Sequence, residues 1–341
     1  MESVELKRRI KEFAVAEGAD LVGVAPIETY SDYSAEIEGR IEETGASQAD
    51  FMIAADDTAF FERISCALNT MPTAKAIIII GVYSYDEAAL YEDVTGELCG
   101  KTARTYSYYP VGRQVAEKLT AFIQDLGYNA AHGQDVPLKY VTDRIGLGCY
   151  GKHSIFITEE YGSYTGLRNV LTDAPLEPDE YQQVSLCQDC DRCLTACPTG
   201  ALYAPYKVNP RLCLNPITRR EEYIAPDMRS NMQNWISGCD ICQEVCPVNQ
   251  RLTPRKPDPR SGFYPEYHSS HKNLGGLEKM PKLLDLLNPD HPDIIRRNAA
   301  IALANTGMNN KEVLEALKNE MGNASEELKD YFSWAIEKLS G

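Results

Sequence analysis

The chain contains 341 residues, of which 34 are lysine or arginine and 50 are aspartate or glutamate, so its formal net charge is −16. Hydrophobic residues make up 43% and charged residues 25%, a globular balance that excludes a largely disordered chain or a coiled coil. The acidity argues against broad, non-specific nucleic-acid binding. At roughly 150 residues per domain, the length predicts about two domains.

The sequence predicts neither a membrane span nor a secretion signal. Its longest apolar run, Ala76 to Val82, is far shorter than the ~20 residues that a membrane-spanning helix requires. The N-terminus, Met-Glu-Ser-Val-Glu-Leu-Lys-Arg, lacks the apolar core of a signal peptide. We therefore expect a cytoplasmic protein that binds no membrane, in which the eleven cysteines serve metal or redox chemistry rather than disulfide formation.

Residues 1–180 are predicted to form one α/β or α+β domain. Apolar residues at helical spacing near the N-terminus predict a helix that ends close to Gly18. The segments 19–25 and 76–83 have the composition of strands, and the second is apolar on both faces, as in a sheet covered by helices. A further helix is predicted over residues 115–126.

A glycine-rich segment, Gly146-Leu-Gly-Cys-Tyr-Gly-Lys-His, matches the pattern G-x-G-x-x-G of dinucleotide-binding turns. That turn requires a strand before it and a helix after it, whereas here a helix is predicted over 137–145 and a strand over 154–158. A Rossmann turn is therefore disfavoured. Two interpretations remain: a close approach of the backbone to a large cofactor, which glycine permits, or a plain tight turn. Cys149 is either a redox thiol or a packed small residue.

Eight of the eleven cysteines fall between residues 187 and 246, and their spacing is the most specific signal in the chain. The first four follow C-x2-C-x2-C-x3-C-P, the bacterial ferredoxin pattern for 4Fe–4S clusters. The second four repeat it with a long insertion after Cys213. Structural zinc, the alternative, prefers ligands in separated pairs. The scattered Cys66 and Cys99 are expected to be ordinary small residues.

In the ferredoxin pattern three closely spaced thiolates bind one cluster, and the fourth, which precedes a proline, binds the neighbouring cluster. This rule divides the eight cysteines into two sets of four. The first cluster is expected to be held by Cys187, Cys190, Cys193 and Cys246. The second cluster is expected to be held by Cys197, Cys213, Cys239 and Cys242. Because the ligands cross over, the two clusters should lie close enough for electron transfer between them.

The rest of the chain divides into three parts. Residues 181–255 are predicted to form a ferredoxin-like double-cluster domain that depends on metal for its stability. Residues 256–282 form an irregular, locally basic connector. Residues 283–341 are predicted to be helical, with a 33-residue period that suits HEAT-like repeats; two unrelated amphipathic helices are the alternative. The period pairs Ile295, Asn298, Ala302 and Leu303 with Leu328, Tyr331, Ala335 and Ile336.

Several of these segments are similar to the epoxyqueuosine reductase family, cobalamin-dependent iron–sulfur proteins related to reductive dehalogenases. The likeness is most specific over residues 187–249, and it extends to Met71-Pro-Thr-Ala-Lys-Ala, to the glycine-rich segment and to Arg296-Arg-Asn-Ala-Ala-Ile. It implies a nitroreductase-like N-terminal domain that binds cobalamin, and two 4Fe–4S clusters that pass electrons to the cobalt. It also implies reduction of epoxyqueuosine in tRNA to queuosine, or of a related substrate by a divergent member.

The resemblance further implies which residues serve the reaction. The residues that would contact the corrin are Gly146, Gly148, Cys149, Gly151, Lys152 and His153. The family's proton donor is an aspartate in an Asp-Ser/Thr-x-Pro element, and the local sequence here is His132-Gly-Gln-Asp-Val-Pro. Asp135 lies one residue closer to the proline than the element requires, so that Asp135 and His132 both stand as candidate catalytic acids. Family members also usually carry tryptophan where Cys149 stands.

Two other functions remain open from the sequence. One is an electron-transfer protein whose N-terminal domain docks a redox partner or binds flavin. The other is a reductive activator of a partner corrinoid protein. The electron donor would be a reduced ferredoxin or flavodoxin-type protein. For a tRNA partner, the connector with Arg211, Arg219 and Arg220 would supply contacts to phosphates, because residues 291–341 are net acidic.

Overall fold

The computed structural model describes residues 3–47, 50, 60–87, 98–133, 135–182, 184–262, 281–307 and 311–341. The helices in these ranges are α1 (Ser3–Ala16), α2 (Ser31–Thr44), α3 (Phe60–Ser65), α4 (Tyr109–Asp125), α5 (Leu138–Arg144), α6 (Arg192–Ala196), α7 (Leu214–Ile217), α8 (Pro226–Arg229), α9 (Ile241–Glu244), α10 (Asp293–Thr306), α11 (Lys311–Glu320) and α12 (Glu326–Ser340). The strands are β1 (Leu21–Pro26), β2 (Ala76–Tyr83), β3 (Lys101–Thr102), β4 (Ala130–His132), β5 (Cys149–Tyr150), β6 (Phe156–Ile157), β7 (Thr165–Thr172) and β8 (Trp235–Ser237).

The N-terminal part is built on a four-stranded sheet with the order β1-β2-β7-β4. Every neighbouring pair in it is antiparallel, so this part is α+β, and the α/β expectation, which implies parallel strands, is wrong. β2 is buried at every position, as predicted. Ile78 and Ile80 pack with α1 and α4 in one core, whereas Ile77 and Ile79 pack with α5 in another. An apolar strand therefore indicates that both faces of the sheet are covered. It does not indicate whether the neighbouring strands are parallel or antiparallel.

The elements around the glycine-rich segment follow the predicted order. The helix expected over 137–145 is α5, and the strand expected over 154–158 is shortened to β6, which pairs with β5. A helix therefore precedes the segment and a strand follows it, which excludes a Rossmann turn. The helix expected over 115–126 is α4, which begins earlier because Pro110 lies in its first turn, where proline is favoured.

The middle of the chain contains only short elements. Its helices α6 to α9 have four or five residues each, and β8 is joined to the N-terminal part by parallel pairing with β3. Much of the predicted connector, residues 263–280, lies outside the described residues. The domain boundaries at 180, 255 and 282 stay predictions.

Helices α10 and α12 pack together in one apolar core. The apolar residues that the 33-residue period pairs, among them Ile295 and Leu328, lie in this core. The remaining pair, Asn298 and Tyr331, instead forms hydrogen bonds with backbone groups of the cysteine-bearing part. The assignment of HEAT-like repeats stays a prediction. Within the described ranges, no helix is both long enough and apolar enough to cross a membrane.

Candidate redox site

The closely spaced cysteines lie where a loop turns into a short helix. The N–H of Cys190 donates a hydrogen bond to the carbonyl oxygen of Cys187 at 2.9 Å, in a turn that leads into α6. This helix ends at Ala196, and Cys197 leaves it in an extended conformation, which the following proline favours. In the second group Cys239 precedes α9, Cys242 lies in it and Cys246 follows it, whereas Cys213 precedes the separate helix α7. Local sequence thus places three cysteines around one turn and directs the chain away at the fourth.

One cavity brings four of the predicted ligands together. Its volume is about 760 Å³. The cysteines that line it are Cys187, Cys190, Cys193 and Cys246. These four residues, here called the outer set, are the ones that the spacing assigns to the first cluster, and no other cysteine in the described ranges lines the cavity. Gln188 and Asp189, next to them in the sequence, are exposed, so the outer set lies near the surface.

The other four predicted ligands are partly exposed themselves, and several of them adjoin buried residues. These four ligands, here called the inner set, are Cys197, Cys213, Cys239 and Cys242. Gly238 and Ile241, next to them in the sequence, are buried. Burial raises the pKa values of Cys239 and Cys242 well above that of an ordinary thiol. The pKa of Cys242 is also raised by Cys193 of the outer set, which makes the two sets neighbours.

The charges that act on each thiol identify its neighbours. Burial is the main cause that raises the pKa of Cys193 to about 11, and the thiols of Cys187 and Cys246 add to it. Burial likewise raises the pKa of Cys213 to about 11, and the thiol of Cys197 adds to it. Cys193 is therefore near Cys187 and Cys246, and Cys213 is near Cys197, in agreement with the crossed ferredoxin pattern, while the complete ligand sets stay a prediction.

The donor sets fit clusters better than single ions. The ligands of a zinc ion all lie about 2.3 Å from one centre. In the described part of the chain, no three His, Cys, Asp or Glu side chains converge on the position of one metal ion. The ligands of a 4Fe–4S cluster instead bind four separate iron atoms, and the metal displaces the thiol protons. Two neighbouring groups of four thiols match that requirement.

The three glycines of the glycine-rich segment are each required by packing within the protein. A Cβ atom on Gly146, where φ is +72°, would lie 2.5 Å from the carbonyl oxygen of Tyr181. On Gly148 it would lie 2.5 Å from the carbonyl oxygen of Ile157, and on Gly151 it would lie 2.6 Å from the Ile157 side chain. The close approach that the glycines permit is therefore made by protein atoms. Contact of this segment with a corrin stays a prediction.

The same segment contacts the outer set. The backbone N–H of Lys152 donates a hydrogen bond to Sγ of Cys187 at 3.4 Å. Cys149 is only 5% exposed and packs with Cys187 and Cys246, so it is a packed small residue. Burial is the main cause of its raised pKa, which leaves this thiol protonated. Sequence reasoning missed the contact between Lys152 and Cys187, because the two residues are 35 positions apart.

His153 forms part of the wall of the outer-set cavity. Its ring is buried, and Nδ1 accepts a hydrogen bond from the N–H of Ile155 at 3.1 Å. Burial is the main cause that lowers the pKa of His153 to about 4, and the nearby charge of Lys139 lowers it further. The imidazole is therefore neutral at physiological pH. Its Nε2 atom has no hydrogen-bond partner in the described part of the chain.

Arg219 places a buried positive charge next to the inner set. It is 5% exposed, and its guanidinium lies 4.7 Å from the ring centroid of Tyr106. The charge of Arg219 acts to lower the pKa of Cys213, in opposition to burial. Arg219 is therefore inaccessible to phosphates, and that part of the sequence-based expectation is wrong. Arg220 is also engaged, in an ion pair with Asp50 at 3.0 Å.

The two candidate catalytic acids lie at the end of β4. His132 is the last residue of this strand and is opposite Val170 on β7. Asp135 follows shortly after it, and its carboxylate accepts a hydrogen bond from Nε of Arg63 at 2.5 Å. Gln134, between the two candidates, lies outside the described residues. The assignment of either residue as the acid stays a prediction.

Comparison with known proteins gives a consistent result. Residues 186–249 match the family described as "4Fe-4S double cluster binding domain". An epoxyqueuosine reductase from Lactococcus garvieae is 30% identical over 303 residues, which cover 82% of each chain. One from Listeria monocytogenes is 38% identical over 98 residues, or 29% of this chain and 26% of that relative's length. A crystal structure of epoxyqueuosine reductase with an epoxyqueuosine-modified stem loop of tRNA-Tyr has the same fold, with a TM-score of 0.75, 22% identity and complete coverage of both chains.

Proposed function

Because this chain belongs to the epoxyqueuosine reductase family, we propose that it is an oxidoreductase that reduces epoxyqueuosine in tRNA to queuosine. Loss of the epoxide oxygen as water consumes two electrons and two protons. Two 4Fe–4S clusters that each exchange one electron match the electron demand. The observation that carries the proposal is the grouping of eight cysteines into an outer and an inner set, within the residues that match a double-cluster domain.

We assign the outer set to one cluster and the inner set to the other. A cluster held by four thiolates carries net negative charge, which has to be compensated inside a protein. Arg219 supports the inner assignment because its buried charge acts on Cys213. The backbone N–H of Lys152 supports the outer assignment because it donates to Sγ of Cys187. Gln188 and Asp189 beside the outer set are exposed, so we propose that a reduced ferredoxin or flavodoxin-type donor delivers electrons there.

The family resemblance also supports a cobalamin in the N-terminal domain, which we propose to be nitroreductase-like and to span residues 1–180. When bound, cobalamin supplies a metal centre that is reduced at low potential. The glycine-rich segment is the predicted corrin contact. Its residues support that role less well than the cysteines support cluster binding, because the segment packs within the protein and against Cys187. For the protons, we propose Asp135 or His132 as the donor to the leaving oxygen.

The proposed substrate is epoxyqueuosine in an intact tRNA or in its anticodon stem loop. A protein of the same fold was crystallised with an epoxyqueuosine-modified stem loop of tRNA-Tyr. Arg211, which is exposed and donates to the carbonyl oxygen of Gly45, is still available to a phosphate. The alternatives, an electron-transfer protein or an activator of a corrinoid protein, are not favoured, because the relative that covers 82% of the chain is itself an epoxyqueuosine reductase.

Anaerobic purification followed by metal analysis and a turnover assay tests the proposal. We expect about eight iron atoms and eight sulfides per chain, together with cobalt, and conversion of an epoxyqueuosine stem loop by chemically reduced protein. Zinc in place of iron would overturn the cluster assignment. Full iron and cobalt without turnover of the stem loop would overturn the substrate assignment.

A pair of variants tests which thiols bind metal. Cys190→Ala removes an outer ligand and should reduce the iron content to about four atoms per chain. Cys149→Ala changes a buried thiol that packs against two outer cysteines, and it should leave the iron content unchanged. Loss of iron in Cys149→Ala would show that the ligand sets are wrongly drawn.

A further inference from the structure

Arg219 is a buried cation without a counter-charge among the described residues. Its side chain is 5% exposed, and its guanidinium lies 4.7 Å from the centroid of the Tyr106 ring. Its Nε atom is shielded from solvent and has no hydrogen-bond partner, and no carboxylate in the described ranges forms an ion pair with it. The face of an aromatic ring attracts a cation but carries no net charge. The positive charge of Arg219 is therefore left uncompensated.

The backbone brings Arg219 close to Cys213 of the inner set. The chain between them is helical: the N–H of Ile217 donates to the carbonyl oxygen of Cys213 at 3.3 Å, and the N–H of Arg219 donates to that of Pro216 at 3.0 Å. A helix rises about 1.5 Å per residue, so the step from Cys213 to Arg219 spans only about 9 Å along the axis.

The side chain of Tyr106 shows that the guanidinium remains in this region. The Tyr106 hydroxyl donates a hydrogen bond to Oδ1 of Asn215, close to Cys213 in the sequence. The edge of the same ring packs on Gly238, where an added Cβ atom would lie 2.6 Å from Cε2 of Tyr106. Gly238 directly precedes Cys239. The ring that Arg219 contacts thus touches both backbone turns that carry inner cysteines.

The buried carboxylate of the same turn is already neutralised. Asp240 follows Cys239 and is 1% exposed, but it forms its ion pair with Arg104 at 3.2 Å. A charge inside a protein is unfavourable unless an opposite charge compensates it. Four thiolates around a 4Fe–4S cluster carry net negative charge. A cluster held by the inner set therefore fits the position of Arg219 as its counter-charge.

We propose that the buried charge of Arg219 raises the reduction potential of the inner 4Fe–4S cluster. The inference rests on the proposed function only in requiring that the inner cluster is present. Reduction adds one electron from the ferredoxin or flavodoxin-type donor, and it makes the cluster more negative by one unit of charge. A nearby positive charge in the protein interior stabilises the more negative state more strongly. Arg219 thus allows the inner cluster to accept an electron at a higher potential.

The test compares three variants of the anaerobically purified, metal-loaded protein. Arg219→Met removes the charge and keeps an unbranched side chain, whereas Arg219→Lys keeps the charge and loses the planar contact with Tyr106. Arg8→Met is the control for net charge, because Arg8 lies at the surface of α1 and pairs there with two glutamates. Redox titration followed by electron paramagnetic resonance gives the midpoint potential of each cluster. Cys190→Ala, which should lack the outer cluster, identifies the signal of the inner one.

We expect Arg219→Met to lower the midpoint potential of the inner cluster, because a unit of positive charge at about 9 Å is lost from the protein interior. At a fixed potential the ratio of reduced to oxidised inner cluster should fall about tenfold to thirtyfold. Arg219→Lys should keep most of the wild-type potential, and Arg8→Met should match the wild type. An unchanged inner potential in Arg219→Met at full iron content, or an equal fall in Arg219→Lys, would overturn the proposal. Wild-type protein without iron would instead refute the proposed function.

A second measurement needs no neutral variant. In wild-type protein labelled with nitrogen-15 arginine, the nuclear magnetic resonance signal of the Arg219 guanidinium is identified by its absence in Arg219→Lys. Because the reduced cluster is paramagnetic, this signal should shift or broaden when the inner cluster is reduced, whereas the signal of Arg8 should stay unchanged. An Arg219 signal that does not respond to reduction would overturn the proposal, even if Arg219→Met failed to retain the inner cluster.

Discussion

Arg104 and Asp240 form a buried ion pair, with 3.2 Å between Nη1 and Oδ2 and side chains that are 7% and 1% exposed. The backbone N–H of Arg104 donates to the same carboxylate oxygen at 2.9 Å. Asp240 follows Cys239 of the inner set, and Arg104 lies two residues after the end of β3 in the N-terminal part. This pair therefore fixes the inner cysteine turn against the neighbouring fold.

Arg104→Met should destabilise the protein strongly, because it leaves the Asp240 carboxylate buried without its cation. Loss of one partner of a buried ion pair typically costs about 3–5 kcal/mol. Chemical unfolding of the anaerobic holoprotein measures the change. Arg113→Met is the control, since Arg113 pairs with Glu117 at the surface and such pairs contribute about 0–1 kcal/mol. Equal losses in the two variants would show that the buried pair does not hold the two parts together.

The sequence predicted those features of the site that depend on neighbours along the chain. The ferredoxin spacing anticipated that Cys187, Cys190, Cys193 and Cys246 line one cavity, because C-x2-C places its two thiols on one turn, and the assignment of all eight cysteines to two clusters stays a prediction. It did not predict that Lys152 donates to Cys187, or that Arg104 pairs with Asp240, because these partners are 35 and 136 positions apart. It also left the sheet direction open, because a strand covered on both faces is apolar in parallel and antiparallel sheets alike.

Substitution of the two candidate acids should separate them. Asp135→Asn and His132→Gln each remove the capacity to deliver a proton while keeping the size of the side chain. The residue that serves as the donor should lose about 100-fold to 10,000-fold in turnover, whereas the other should keep most of its activity. Turnover of the stem loop has to be compared at equal iron and cobalt content. Full activity in both variants would remove both residues from the reaction.

Gly148→Ala should lower the free energy of unfolding, because the protein has no space for a methyl group at this position. The added methyl group would lie 2.5 Å from the carbonyl oxygen of Ile157 and from the ring of Phe156, so that β5 and β6 must separate. Such overpacking costs about 1–3 kcal/mol. Gly39→Ala is the matched control, because Gly39 lies in α2 with open space around its Cβ position, and alanine there should stabilise by about 0.5–1 kcal/mol. Thermal unfolding of the two variants should therefore shift in opposite directions.

Asp179 should make the anchoring of α1 depend on pH. Its carboxylate pairs with Lys7 at 3.1 Å and Lys11 at 2.5 Å, and it accepts from the N–H of Val24 at 2.8 Å. Burial alone would raise the pKa of Asp179, but the hydrogen bonds from Lys11, from Val24 and from Lys7 outweigh it and hold the pKa below its usual value. The unfolded chain therefore binds this proton more readily than the folded protein does.

The stabilisation by Asp179 is consequently complete above its unfolded pKa of about 4, and it is lost as the pH falls through the lower folded value. Asp179→Asn should destabilise α1 by about 1–3 kcal/mol at pH 8 and equally at pH 6, because the carboxylate is ionised at both. Below about pH 4 the difference from the wild type should shrink, since the wild-type carboxyl group is then neutral as well. Hydrogen exchange of the α1 amides measures this local stability, and a difference that instead grew as the pH fell would contradict the sign of the pKa shift.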